Sequence, residues 1–312
     1  LKNVDFYPEK ITFPILNKID TDINKVFLRI PNEEKIVLKS DIEGSEFKVI
    51  DEILNYRDLL WLFVKRDFTT FYKQTVLGPL WFFIQPMLTT FVFSVIFNKV
   101  AKISTEEIPP YLFYMSGIIA WNYFSSCLNA TSNTFVLNSN LFGKVYFPRI
   151  ILPLSKVISN LATFAVQLLM FFCFYSYYIV IGNNSIDPSP KTLSLIPILL
   201  VQMAMLGQGL GMIISSLTTK YRDLTYLVTF GSQLLMYASP IVYPLSIVPD
   251  KYRTILLANP MTPVIEGFRL AFIGRGNLEL GLIIYSVVIT IIIFLLGIII
   301  FNKTEKSFID TV

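Results

Sequence analysis

The chain has 312 residues, of which 54% are hydrophobic, 15% aromatic and only 15% charged, with a formal net charge of +4. A soluble domain carries roughly a quarter charged residues, so the composition excludes an ordinary water-soluble fold and calls for lipid around the chain. Nucleic-acid binding is excluded by the lack of a concentrated Lys/Arg stripe, and the complete absence of histidine removes the usual general base and the commonest metal ligand.

Residues 1–51 are mixed and charged. The alternating pieces Lys25–Ile30 and Lys35–Lys39 predict short edge-type strands in a small cytoplasmic lead-in. No cleavable signal peptide is expected, since the first apolar segment follows residue 51; the chain opens at Leu1 rather than Met, which leaves room for a start further upstream. Across 52–79, Leu60, Val64, Phe68 and Phe71 recur at helical spacing opposite Arg57, Asp58, Lys65, Arg66, Lys73 and Gln74. A soluble amphipathic helix would read the same way. The abrupt passage into apolar sequence after Gly78-Pro79 favours a helix lying in the membrane interface.

Six stretches then reach the ~20 apolar residues needed to cross a bilayer as a helix: 80–98, 111–136, 157–181, 193–217, 224–243 and 280–301. The fold class expected is therefore an all-α polytopic membrane protein, with a transmembrane domain over 80–301 and a tail at 302–312. Cations before the first stretch (Arg57, Lys65, Arg66, Lys73) and after the last (Lys303, Lys306) place both termini in the cytoplasm under the positive-inside rule. The weak net basicity suits contact with anionic membrane lipids. The connection 244–279 would lie outside. Its Pro244, Pro249, Pro260 and Pro263 separate the apolar pieces 254–258 and 264–272, which are too short to span and read as re-entrant helices.

None of the six stretches contains a charged residue. Ion-coupled carriers need such residues at mid-membrane, so the energy for any transport has to come from outside the bilayer. No phosphate-binding Gly-rich loop is present, Gly143-Lys144-Val145 lacking both the loop and the hydroxyl. ATP and its Mg would sit on a partner subunit; no cofactor, catalytic set or metal site is expected on this chain. Gly207, Gly209 and Gly211 alternate inside a span and read as close helix packing, and Cys127 and Cys173 read as small buried hydrophobes.

Uncharged polar residues gather on particular faces. Tyr111, Asn122, Ser126, Asn129 and Asn133, flanked by Ser125 and Ser132, share a narrow sector of the second stretch, and Tyr226, Thr229, Gln233 and Tyr237 do so in the fifth, before Pro240. Amides, hydroxyls and phenols suit a sugar chain moving along a path without a deep binding well. Hydrogen bonding between helices would use the same residue types.

Several motifs carry a family resemblance: Tyr56-Arg57-Asp58-Leu59-Leu60; Lys65-Arg66-Asp67 with Tyr72–Trp81; Lys144–Arg149; Tyr221-Arg222-Asp223-Leu224; Ser239–Pro244; Asn259–Pro263 with Glu266-Gly267-Phe268-Arg269; and Glu305–Asp310. From about Tyr56 onward the chain resembles the transmembrane subunits of ABC-2 type exporters, in particular the Wzm-like permeases of O-antigen and related polysaccharides. The resemblance implies a bacterial inner-membrane homodimer bound to two ABC ATPase subunits, moving a lipid-linked polysaccharide through a channel on the dimer axis. It also implies ATPase-coupling segments at Tyr56, Arg57, Asp58, Lys65 and Arg66, at Lys144, Tyr146, Phe147 and Arg149 in a short helix, and at Tyr221, Arg222 and Asp223, although such charges also occur in ordinary loops. Trp81 and Gln85 join the channel candidates. Pro240, Tyr243, Pro260, Glu266 and Arg269 belong to the outer re-entrant region, where Glu266 and Arg269 are expected to pair. Teichoic acid, capsule, drug or lipid export by the same scaffold are the alternatives.

Overall fold

A computed structural model describes residues 26–29, 35–38, 54–73, 77–142, 147–181, 186–188, 190–221, 223–276 and 279–309. The chain forms two units, Leu1–Asp51 and Glu52–Val312. In the first, β1 (Val26–Arg29) pairs antiparallel with β2 (Lys35–Leu38), Val26 opposite Leu38 and Arg29 opposite Lys35, in the two alternating segments that predict strands.

The described residues of the second unit are helical with connecting turns. Helix α1 (Arg57–Lys73) comes first. Phe63 and Asp67 are buried, whereas Trp61, Leu62 and Phe68 are exposed beside Lys65. Phe63 joins Phe147, Ile151 and Leu152 in a small separate core, with Tyr56, Leu59 and Leu60 packed on it. Two apolar faces leave this helix only weakly amphipathic: one packs against protein, and the other is free to meet lipid.

Among the described residues, four helices are long and apolar enough to cross a membrane: α2 over Gly78–Val100, α5 (Ile151–Val180), α7 (Ile196–Thr218), and Leu280–Thr304 within α11 (Leu280–Ile309). They correspond to the first, third, fourth and sixth apolar stretches. The second and fifth stretches behave differently. Helix α3 (Pro110–Ser132) opens on a proline at its first position, where the missing N–H costs nothing. With 16 of its 23 residues buried, it forms the centre of the hydrophobic core rather than a lipid-facing rod. It ends where Asn133 leaves helical geometry (φ −96°, ψ 6°), and α4 (Thr134–Phe142) follows, carrying helix past the expected end at residue 136. Asn129 and Asn133 donate side-chain amides to the carbonyls of Ser125 and Asn129, four residues back, at 2.8 and 2.9 Å, a competition with the backbone ladder that favours a bend.

The fifth stretch yields α8 (Leu224–Tyr237), which stops six residues before the expected end at 243. Its 14 residues reach roughly 21 Å at ~1.5 Å per residue, short of a ~30 Å hydrocarbon core. Pro240 has no N–H to extend the helix, and it pushes Ser239 away from helical geometry. The chain instead turns inward, burying Ser239 through Val242. The short helices α6 (Pro190–Leu193), α9 (Asp250–Ala258) and α10 (Met261–Ile273) complete the unit. The last two cover the pieces read as re-entrant.

The alternating glycines divide between two neighbours. A Cβ on Gly207 or Gly211 would lie 2.8 Å from the Phe124 carbonyl oxygen or 2.5 Å from Thr131 Cβ, both on α3. On Gly209 it would lie 2.8 Å from Phe294 Cα of α11, and on Gly297 of α11 it would meet the Gly209 carbonyl oxygen at 2.6 Å. Helix α7 is thus pinched between α3 and α11 by backbone contact, the packing that membrane helices obtain from small residues. Helix α10 ends at Gly274 in the left-handed region (φ 78°), where a side chain would strike the Asp187 carbonyl. Cys127 is buried in the core, as expected, but Cys173 faces outward from α5, on a surface that suits lipid.

Candidate functional site

The polar sector of α3 is the part of that helix left accessible. Beyond Pro110, its half-buried positions are Tyr111, Asn122, Ser125, Ser126, Asn129 and Ala130, with Asn133 just past its end; the other residues of α3 are buried. The stripe runs beside α5. Tyr111 stacks on Phe174 with ring centroids 5.9 Å apart and planes 14° from parallel, and Asn122 Nδ2 donates to Gln167 Oε1 at a long 3.5 Å. Asn129 and Asn133 bond only to α3's own carbonyls, and the buried Asn129 Oδ1 accepts no hydrogen bond among the described residues. Of these amides, only Asn122 is engaged by another helix.

Helix α8 exposes nearly its whole circumference. Only Val228 and Ser232 are buried, while Tyr226 is 81% and Tyr237 51% exposed, with Thr229 and Gln233 on the exposed surface between them. Apolar Leu227, Phe230 and Leu234 are equally open, so this helix lacks the partners its composition requires. Trp81 and Gln85 are exposed on α2. No hydrogen bond among the described residues joins the faces of α2, α3 and α8.

A buried polar arrangement surrounds Arg269 of α10. Arg269, wholly buried, donates through Nη1 to Glu266 Oε1 and through Nη2 to the Pro240 carbonyl, both at 2.8 Å. Its guanidinium carbon lies 3.8 Å from the Phe113 ring centroid. One side chain therefore ties α10 to the turn after α8 and to α3, the multidentate use for which arginine is suited. Nearby, Ser286 of α11 donates to the Pro260 carbonyl at 2.6 Å and accepts from Gln202 of α7 at 2.5 Å. Tyr243 donates its hydroxyl to the Tyr237 carbonyl at 3.2 Å.

Of the coupling candidates, Arg57 and Asp58 are highly exposed and 3.9 Å apart, Lys65, Tyr221 and Asp223 are exposed, and Tyr56 and Arg66 are half-buried. Lys144, Tyr146 and Arg222 lie outside the described residues. Phe147 and Arg149 are each only 5% exposed, and 147–150, the described end of the segment expected as a short helix, is extended and turned. The Phe147 ring packs 5.7 Å from Phe63, so hydrophobic burial against α1 holds this end of the segment in place.

Sequence reasoning missed the ion cluster at the other end of that contact. Asp67 Oδ1 accepts from Arg66 at 2.9 and 3.1 Å, and its Oδ2 lies 2.7 Å from Lys156 Nζ near the start of α5. The available signal was Lys156 itself, a single cation at the edge of an apolar run, for which a buried partner is the physical expectation.

Comparison with known proteins gives a consistent picture. The profile of the family described as ABC-2 type transporter matches residues 58–273. An O-antigen export system permease protein, RfbA, of Klebsiella pneumoniae is 30% identical over 255 residues, covering 81% of this chain and 94% of its own. The protein of that name from Myxococcus xanthus is 28% identical over 228 residues (72% and 84%). The polysialic acid transport protein KpsM of Escherichia coli is 23% identical over 248 residues (79% and 93%).

Proposed function

The chain belongs to the ABC-2 type transporter family, and on that premise we propose that it exports a lipid-linked polysaccharide of O-antigen type across the bacterial inner membrane. It is a multi-pass permease subunit without an ATPase domain, of a family that works with ABC ATPase subunits. Two such ATPases would bind ATP and Mg, and two permease copies would enclose the path.

The observation that carries this reading is the α3 stripe, a line of amides and hydroxyls left accessible on a helix that otherwise lies at the centre of the core. A sugar chain offers those groups partners at every step without an ion or a deep well to hold it. The exposed polar face of α8 and Trp81 with Gln85 on α2 would complete the lining when a second copy is present. On this reading α3 with α4, and α8 with its following turn, join the four long helices to make six crossings with both termini cytoplasmic. The polar content of α3 is tolerable in lipid because protein covers it. Named relatives that export O-antigen support the substrate class.

An acidic capsule-type polymer is a second reading, favoured by the similarity to KpsM and weakened by the lack of cations in the apolar stretches. Depleting the chain in its native cell tests the proposal. Lipid-linked glycan should accumulate on the cytoplasmic face and disappear from the surface; unchanged surface glycan, with nothing trapped, would overturn it.

A further inference from the structure

The outer connection carries four cations, which the positive-inside rule does not lead one to expect there. Two are accounted for: Arg269 is paired with buried Glu266, and Arg275 lies 3.9 Å from Glu107. Lys251 and Arg253, both on α9, take part in no ion pair among the described residues. Their helix forms one wall of a cleft of about 460 Å³, enclosed by Ile103, Val248, Ile255 and Leu256 with Tyr243 and Tyr252. That volume is within the ~300–1,000 Å³ usual for small-molecule sites, and the lining is almost wholly apolar. Tyr252 and Ile255 are 53% and 70% exposed, so the cleft is open. Lys251 Nζ lies 5.6 Å from the Tyr252 ring on the wall, and exposed Lys102 adjoins Ile103. Asp250, in the first turn of α9, is the nearest acidic residue in sequence and sits where a carboxylate favours a helix start.

An apolar cleft whose wall helix also carries two cations without an ion pair among the described residues suits a hydrocarbon chain ending in a phosphate. The position narrows the source. Tyr243 lines the cleft and is hydrogen-bonded to the carbonyl of Tyr237, the last residue of α8's polar face. We propose that this cleft receives the isoprenoid-phosphate anchor of the exported glycan on the outer side, chain among Ile103, Ile255 and Leu256, phosphate toward Lys251 and Arg253. The inference rests on the export reading and adds to it a site where the lipid waits while its glycan clears the path.

The test uses the full chain with its ATPase partner in phosphatidylcholine nanodiscs and a photoreactive isoprenyl phosphate as probe. Labelling should map to residues 250–258 and be competed by unlabelled isoprenyl phosphate but not by equal phosphatidylglycerol. It should fall about fivefold for each cation lost in Lys251→Gln and Arg253→Gln, as expected for a cation near a lipid phosphate, and should fall also in Ile255→Asp. Ile255 is 70% exposed and packs little against the rest of the chain; an unchanged yield of the ATPase-bound complex checks that the variant still folds. Leu169→Ala, at a 66% exposed apolar site on α5, should leave the labelling of 250–258 unchanged. Labelling elsewhere, labelling insensitive to the α9 variants, or equal competition by phosphatidylglycerol overturns the site. If the depletion experiment still traps glycan inside, the export reading survives such a failure; if surface glycan is unchanged on depletion, that reading fails whatever the probe labels.

Discussion

Two amides and one carboxylate illustrate how the same residue chemistry serves different ends. Asn122 and Asn129 fall on the accessible sector of α3, and their bonding, one long contact to Gln167 and one to a local carbonyl, makes them weak structural members. Replacing both with leucine should therefore cut glycan export severely while the protein inserts, folds and binds its ATPase normally, as read by surface glycan and co-purification. Export at the normal rate would assign the stripe to packing. Asp67 is the opposite case. With 8% of its side chain exposed against 24% for Lys156, Asp67→Ala should cost about 1–3 kcal/mol, less than the ~3–5 typical of fully buried pairs. In a thermal melt, adding Lys156→Met should recover part of that loss, since the lone cation is then gone as well. Additive losses would show that the two groups do not interact. The stripe was legible in the sequence because helical periodicity places it on one sector. The Asp67 clamp was not, because its partners lie 89 positions apart and no periodicity links them.

At the scale of elements, apolar length located four helices able to cross a membrane, and residue-level competition decided where the other two apolar stretches depart from simple rods. Pro240 ends α8 early, and the amide side chains near Asn133 break the second stretch; neither effect enters a count of apolar residues. The re-entrant pieces were readable because prolines bound them, whereas the burial of Phe147 depended on an apolar face of α1 that charged neighbours masked. The three alternating glycines gave packing but not its partners. Contact with α11 rests on Gly209 against Gly297, where a Cβ would come within 2.6 Å of backbone oxygen. Gly297→Ala should thus lower the melting temperature and the yield of folded protein by forcing α7 and α11 apart. Gly281→Ala, on the same helix with nothing within 4 Å, should leave stability unchanged or raise it by up to ~1 kcal/mol through helix propensity. Equal behaviour of the two variants would remove the close crossing from the account.

The whole molecule reads as a core built around α3, with α1 fastened to the start of α5 by Phe63, Phe147, Asp67 and Lys156, and with α2 and α8 presenting faces that a single copy does not cover. Such an arrangement can pass a displacement of α1 and the adjoining segment at 147–150 into α5 as a rigid unit, and α5 borders the polar stripe. Work done by an ATPase on one side would then widen a path lined by amides and hydroxyls. The most direct measurement is glycan transfer into inverted membrane vesicles carrying this chain, its ATPase and the lipid-linked polymer. The glycan should become protected from added glycosidase only when both ATP and this chain are present. Protection of the same extent without ATP, or in vesicles lacking the chain, would contradict the export reading.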